Sequence, residues 1–370
     1  MSNDPPFSEA TIAIVGVGLI GGSLGLALKR LGIGREIVGI SRAETLDQAR
    51  ELSVIDSGIV YEGLAEGVAH ADLVFLCTPI ARILSLLPQV MEAVPAGCVV
   101  SDVGSTKREI VSCATSLNRS DVHFVGGHPM AGSERSGVTA ADPFLFENAI
   151  YVLTPAPDVP EVVCEQLVGL VERLGARSMR MAPEVHDRVA AAVSHLPQIM
   201  ATTLVEMVGR LHEREGLPLQ MAAGGFRDLT RIASSPYGMW RDICRTNVGP
   251  IREMIDLYLE ALGRIRARID QDALEDDFTY ANTVRGEIPK DSKGFLHPLH
   301  EILLLVADQP GVIAGSAGVL AEAGINIQDI EVLKVREGEG GTIRMGFDTR
   351  ENAKRAGLLL EGAGYEVRIR

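Results

Sequence analysis

The stretch that most constrains this chain is Thr11 to Arg30, TIAIVGVGLIGGSLGLALKR. The apolar run Ile12 to Val15 leads into Gly16-Val17-Gly18-Leu19-Ile20-Gly21, and Ser23 to Leu28 then place apolar residues at helical spacing. The pattern reads as strand, tight turn and helix. Gly16 permits the sharp turn, Gly18 lets backbone approach a pyrophosphate, and Gly21 lets the helix pack close against the strand. The free N–H groups that open the helix at Leu19 and Ile20 then face the phosphate charge. An ordinary strand-to-helix turn can also carry three glycines. The buried-type strand before them and a second strand at Glu36 to Ile40 favour a dinucleotide site.

The second strand of such a unit usually ends in an acidic residue for the ribose hydroxyls, about 20 residues on. Here it ends in Ser41-Arg42. A hydroxyl followed by arginine suits a 2'-phosphate, which would mean NADP. Equally, Arg42 is solvated and Ser41 or Glu44 serves NAD. Both readings stand on sequence alone.

The chain has 370 residues, 46% of them hydrophobic, enough for about two to three domains with full cores. Its net charge of −14 argues against nucleic acid as a partner and agrees with a soluble cytoplasmic enzyme. Five scattered cysteines form no Cys-x-x-Cys pair, which implies a reducing compartment and neither a disulfide framework nor a metal site. No apolar run approaches the ~20 residues that span a membrane. Residues 1–10 read as a disordered tail.

Residues 11–181 alternate strand and helix, with short β-type runs at Leu73 to Cys77, Val99 to Val103, Phe124 to Gly126 and Ile150 to Leu153. That alternation predicts a doubly wound parallel sheet, with ligands at the carboxyl ends of its strands. The informative loops are then Cys77-Thr78-Pro79, with Thr78 and Pro79 facing the cofactor, Asp102 to Lys107, and Gly127 to Gly132. Residues 182–284 read as an all-α substrate and dimerisation domain, 285–299 as a linker, and 300–370 as βαββαβ, a ferredoxin-like split.

His128 stands in a glycine-rich loop just past a strand end, where an imidazole can take a proton from a substrate hydroxyl as hydride leaves for the cofactor. Ser105, in the preceding strand-end loop, could hold His128 or that hydroxyl, and Glu134 could orient a base or pair with Arg135. His195 lies in a helical stretch that Pro197 disturbs, as a ligand or as a core residue. Arg227 and Arg231 are spaced i, i+4, which is unfavourable unless an anion or an ion-pair network with Asp228 and Asp242 offsets them. Forked guanidinium groups suit a substrate with carboxylates.

Taken together, Gly16-x-Gly18-Leu19-Ile20-Gly21-Gly22-Ser23, Asp102-Val103-Gly104-Ser105-x-Lys107, Gly127-His128-Pro129-Met130-Ala131-Gly132, Ser194-His195-Leu196-Pro197 and Phe226-Arg227-Asp228-x-Thr230-Arg231-Ile232-Ala233 resemble the prephenate dehydrogenase family of tyrosine biosynthesis. The resemblance covers roughly residues 10 to 280. It implies a Rossmann-type domain and oxidative decarboxylation of prephenate to 4-hydroxyphenylpyruvate. By that likeness His128 is the base, Ser105 positions it, Arg231 binds a carboxylate and His195 touches substrate; Glu134 and Arg227 are weaker transfers. Gln198 departs from the family pattern, in which many members carry a second histidine. Arogenate, or both substrates as in a cyclohexadienyl dehydrogenase, is therefore the alternative.

Asp308-Gln309-Pro310-Gly311-Val312 and Ala323-Gly324-Ile325-Asn326-Ile327 resemble an ACT domain. The likeness implies an amino-acid effector, tyrosine by hypothesis, near Gly311, Val312 and Asn326. A homodimer is expected. The rival readings are a regulator without turnover, and a hydroxyacid or imine dehydrogenase of related architecture.

Overall fold

The computed structural model describes residues 6–132, 135–287, 299–307, 309–336 and 340–369. Contacts divide it into two units, Met1–Glu275 and Asp276–Arg370.

All five residues of strand β1 (Thr11–Val15) are buried. A strand covered on both faces belongs in the middle of a parallel sheet. It pairs in parallel with β2 (Glu36–Ser41) on one side and β4 (Leu73–Leu76) on the other. With β3 (Ser57–Val60), β5 (Val99–Asp102), β6 (His123–Pro129), β7 (Ile150–Pro155) and β8 (Arg177–Arg180) the order is β3-β2-β1-β4-β5-β6-β7-β8. The chain leaves β1 for β2 on one side and resumes at β4 on the other, so a crevice opens at the carboxyl ends of β1 and β4.

Two core clusters cover the two faces. One joins Leu24 and Leu28 to Leu167 and Leu170, from the helices Leu19–Leu31 and Glu161–Arg173. The other joins Ile83, Leu87 and Ile110 to Ile243, Ile251 and Met254 of the later helices, so those helices share the core of the sheet.

The sheet differs from the all-parallel expectation at one side: β7 runs antiparallel to β6, and β8 parallel to β7. That pairing continues β6 through Pro129, so His128 sits opposite Val152 inside a strand and not in a loop beyond it. Strands β3 and β8 lacked a sequence signal because both are half-exposed sheet edges without an apolar run.

The helical region runs through Pro183–Ala190, a π-helical turn Ala191–His195, Leu196–Glu215, Gly224–Thr230, Tyr237–Thr246 and Val248–Arg266. A further helix, Glu275–Glu287, falls almost wholly in the second unit and continues through the first residues of the expected linker. Most of that linker, 288–298, lies outside the described residues.

In the second unit β9 (His300–Val306), β10 (Asp329–Arg336), β11 (Gly340–Phe347) and β12 (Glu366–Ile369) form an antiparallel sheet in the order β10-β11-β9-β12. Leu320 of the helix Val312–Glu322 and Ala353, Ala356 and Leu360 of the helix Arg350–Gly362 pack on Ile302, Leu304, Met345 and Phe347. This is the expected βαββαβ arrangement.

Candidate active site

The glycine turn fits a dinucleotide. Gly16 has φ +98°, and a Cβ there would meet the Cys77 carbonyl at 2.7 Å. At Gly21 a Cβ would stand 2.2 Å from the Gly16 carbonyl, so strand and helix approach as closely as backbone allows. Gly18 faces open space with nothing within 4 Å, and it caps the helix Leu19–Leu31 without any side-chain bond. The first-turn amides, those of Leu19 and Ile20 among them, are thereby left for an anion. Next to this turn Thr78 is buried with its Oγ1 lacking a partner among the described residues, and Pro79 caps the helix Ile80–Ala93. Ser41 is buried at the end of β2, and Arg42 is exposed ahead of the helix Ala43–Glu51.

His128 is buried near the end of β6. Its Nδ1 lies 2.8 Å from Nε2 of His186, and His186 Nδ1 lies 2.8 Å from Oδ1 of Asp187. Asp187 accepts the main-chain N–H groups of Lys107 at 2.7 Å and Arg108 at 3.0 Å. Burial holds the His128 imidazolium well below its ordinary pKa, and His186, Lys107 and His195 add to that effect. Imidazole is therefore a neutral proton acceptor here near neutrality.

Asp102 and Lys107 form a fully buried ion pair against the strand that carries His128. Asp102 also accepts from Gly104 N–H at 2.7 Å and Gly127 N–H at 3.1 Å, and Lys107 Nζ donates to the Gly127 carbonyl at 2.6 Å. Burial pulls the Lys107 ammonium below its usual value while Asp102 opposes the shift. A buried pair is poor evidence of net stability, but removing one partner is costly. Here the pair pins the carboxyl ends of β5 and β6, which fixes where His128 stands.

His195 ends the π-helical turn, a feature often found at functional sites. Its Nδ1 lies 3.1 Å from Asn247 Nδ2, and its ring meets Trp240 edge-on with centroids 5.9 Å apart. Burial pushes its pKa down to about 4 despite the nearby Asp187 carboxylate. Asn247 Nδ2 also donates to the Asp187 carbonyl at 2.7 Å, so both histidines are tied to one residue.

The other expected residues are placed less closely. Ser105 is half-buried after β5 and makes no hydrogen bond to His128, whose Nδ1 partner is His186. Glu134 lies outside the described residues. Arg227 and Arg231 do not share one α-helix, because the helix Gly224–Thr230 ends between them and Arg231 opens a 3₁₀ turn, Arg231–Ser234. Both are exposed, and Arg227 donates to the Ala222 carbonyl at 3.2 Å. Asp242 lies 3.6 Å from Arg241 Nε and accepts the Ala81 N–H at 3.1 Å, which joins the helical region to the start of Ile80–Ala93. Gln198 is buried and donates to the Ile232 carbonyl at 3.0 Å, which anchors the turn that carries Arg231.

Sequence reasoning missed His186, Asp187 and Asn247. In the second unit a cavity of about 640 Å³ is lined by Val306, Gln309, Gly311, Val312, Ile313 and Ile343 among others. Gly311 and Val312 are at this cavity; Asn326 is exposed and is not among its lining residues.

A dinucleotide cradle beside a buried neutral histidine, with a separate small-molecule-sized cavity in a ferredoxin-like unit, defines a dinucleotide-dependent dehydrogenase with an appended sensing module. Residues 24–180 match the family described as "Prephenate dehydrogenase, nucleotide-binding domain", 182–281 its "dimerization domain", and 300–360 the ACT domain. The chain is 38% identical to the prephenate dehydrogenase of Bacillus subtilis (strain 168), over 96% of this chain and 97% of that one. Among solved structures, prephenate dehydrogenase from A. aeolicus, in complex with hydroxyphenyl propionate and NAD+, is 31% identical with a TM-score of 0.68, covering 75% of this chain and 96% of that one. Synechocystis arogenate dehydrogenase is 29% identical with a TM-score of 0.65, covering 75% and 98%. The chain belongs to the prephenate dehydrogenase family.

Proposed function

We propose that this chain catalyses the NAD-dependent oxidative decarboxylation of prephenate to 4-hydroxyphenylpyruvate. The observation that carries the reading is His128, neutral and buried at the carboxyl end of β6 in the domain that holds the glycine cradle. Bound, the oxidised nicotinamide supplies the acceptor for the hydride on ring C4. His128 Nε2 takes the proton of the C4 hydroxyl, so that the carbonyl can form. Loss of the ring carboxylate as carbon dioxide then makes the ring aromatic, which drives the reaction forward. Arg231 would hold a substrate carboxylate, and Arg227 and Glu134 are the weaker candidates that the family likeness transfers. Ser105 would contact the hydroxyl, and His195 would donate to a substrate oxygen.

The cofactor contacts are Gly16, Gly18, Leu19, Ile20, Gly21, Thr78 and Pro79, with Ser41 and Arg42 at the adenosine ribose. The NAD+ in the A. aeolicus relative favours NAD, and exposed Arg42 keeps NADP as the alternative. Arogenate is the second reading for the substrate, favoured by the likeness to the Synechocystis enzyme and by Gln198 in place of a histidine. The working form is a cytoplasmic homodimer built through the helical region. Tyrosine binds the cavity of the ACT domain at Gly311 and Val312 and inhibits.

Mixing the purified protein with prephenate or arogenate, each with NAD or NADP, tests this directly through reduced-nicotinamide absorbance. Turnover with prephenate and NAD is expected. Silence in all four would leave a binding protein without catalysis, and tyrosine that changes neither rate nor thermal stability would remove the effector.

A further inference from the structure

The hydrogen bonds around Asp187 run in directions that chemistry forces. Its carboxylate oxygens already accept two main-chain N–H bonds, from Lys107 and Arg108. Toward its third neighbour, His186 Nδ1 at 2.8 Å, it is again an acceptor, so that nitrogen carries the proton. With that single proton on the ring the other nitrogen is bare, so that His186 Nε2 accepts and His128 Nδ1, 2.8 Å away, donates. His128 Nε2 is left with its lone pair.

A second arm runs through Asn247. Its side chain meets the Asp187 carbonyl at 2.7 Å, and a carbonyl oxygen only accepts, so the amide nitrogen must be the atom at that end. The second proton of that nitrogen points to His195 Nδ1 at 3.1 Å. His195 Nδ1 is therefore bare, and the proton of its neutral ring sits on Nε2.

We infer that Asp187 is a positioning residue which, through His186 and Asn247, writes opposite tautomers into the two site histidines: a proton acceptor at His128 Nε2 and a hydrogen-bond donor at His195 Nε2. This rests on the reaction proposed above, whose substrate offers one hydroxyl to deprotonate and carboxylate or carbonyl oxygens to hold. A wrong tautomer at His128 would present a proton where the base is needed. The carboxylate sits two groups away from the reacting atoms and touches neither substrate nor cofactor.

The test is ¹⁵N NMR of the full-length, histidine-labelled protein near neutral pH, with the His128 and His195 signals assigned by their loss in His128→Asn and His195→Asn. A pyridine-like Nε2 at His128 and a pyridine-like Nδ1 at His195 are expected. A pyrrole-like Nε2 at His128 overturns the relay even if prephenate is turned over. The expected tautomers in a protein that turns over neither prephenate nor arogenate would uphold the relay and sink the proposed reaction. Kinetics give a second reading. His186→Gln can keep an acceptor oxygen facing His128 Nδ1 and should hold kcat within about tenfold, whereas His186→Leu should lose about a hundredfold or more with substrate KM little changed. Equal losses in the two variants would mean that His186 only packs.

Discussion

The sheet and the helices that follow it fill their cores to different degrees. Every residue of β1 is buried, yet the 20-residue helix Leu196–Glu215 buries only Gln198 and Ala201. The helix Val248–Arg266 buries Ile251 and Met254 and leaves Leu257, Leu259 and Leu262 48%, 59% and 45% exposed. An amphipathic helix normally hides an apolar stripe along its whole length. The sheet thus completes its core within one chain, while the helices present half of one. The division also sorts the proposed chemistry, because His128, the proposed base, stands on the finished side and Arg231 on the unfinished side.

The largest effect should come from the finished side. His128→Asn removes the proton acceptor from a strand whose position the Asp102–Lys107 pair fixes. We expect kcat to fall by about 10²–10⁴, with dinucleotide affinity, measured by calorimetry, unchanged. Normal turnover would move the base elsewhere. A loss of cofactor binding would mean that the substitution had disturbed the sheet instead.

The next pair sets the two regions directly against each other. Leu87 is fully buried under the sheet, so Leu87→Ala should cost about 2–5 kcal/mol in denaturant unfolding. Leu259→Asp would cost only about 0.5 kcal/mol or less if its helix faced water. A second copy of the chain over that face would change this outcome. The substitution should then halve the mass measured by light scattering and lower a Tm that depends on protein concentration. Unchanged mass and Tm in Leu259→Asp would mean that the helical region works uncovered.

The same contrast governs what was legible in the sequence. The glycine turn could be read, and His128 and His195 singled out as candidates, because each signal lies within a few neighbouring residues. The βαββαβ order of residues 300–370 was readable for the same reason, since each strand carries its own apolar run. His186 and Asp187 gave no such signal. Their partners, His128, Lys107 and Arg108, lie 58 to 80 positions away, and only the packing of Pro183–Ala190 against β6 and the start of the helix Arg108–Ser116 joins them. Adjacent polar residues that are both buried in a helix would have been the clue, but burial was not visible there. The i, i+4 reading of Arg227 and Arg231 failed for a related reason: spacing assumes a continuous helix, and the turn at Thr230 breaks it.

The last effect is one of pH, and it joins the two regions through their histidines. His128 on the sheet and His195 on the helices are both held below the unfolded value near 6.5, His195 at about 4. Below pH 6.5 the unfolded chain binds protons that the folded chain refuses, so stability falls as pH drops. For His195 the loss runs from about pH 6.5 to its folded pKa of about 4 and totals about 3 kcal/mol. His195→Asn keeps an acceptor toward Asn247 and removes this titration, so its unfolding free energy should decline less over that window than that of the wild type. Parallel declines would mean that His195 titrates like an exposed imidazole. The acid limb of kcat/KM reads the other histidine: set by His128 in the free enzyme, it should lie below pH 6.5. A limb at or above 6.5 would mean that the base is solvated, and the distinction between a dry, finished sheet and an open helical face would fail at the residue where it matters most.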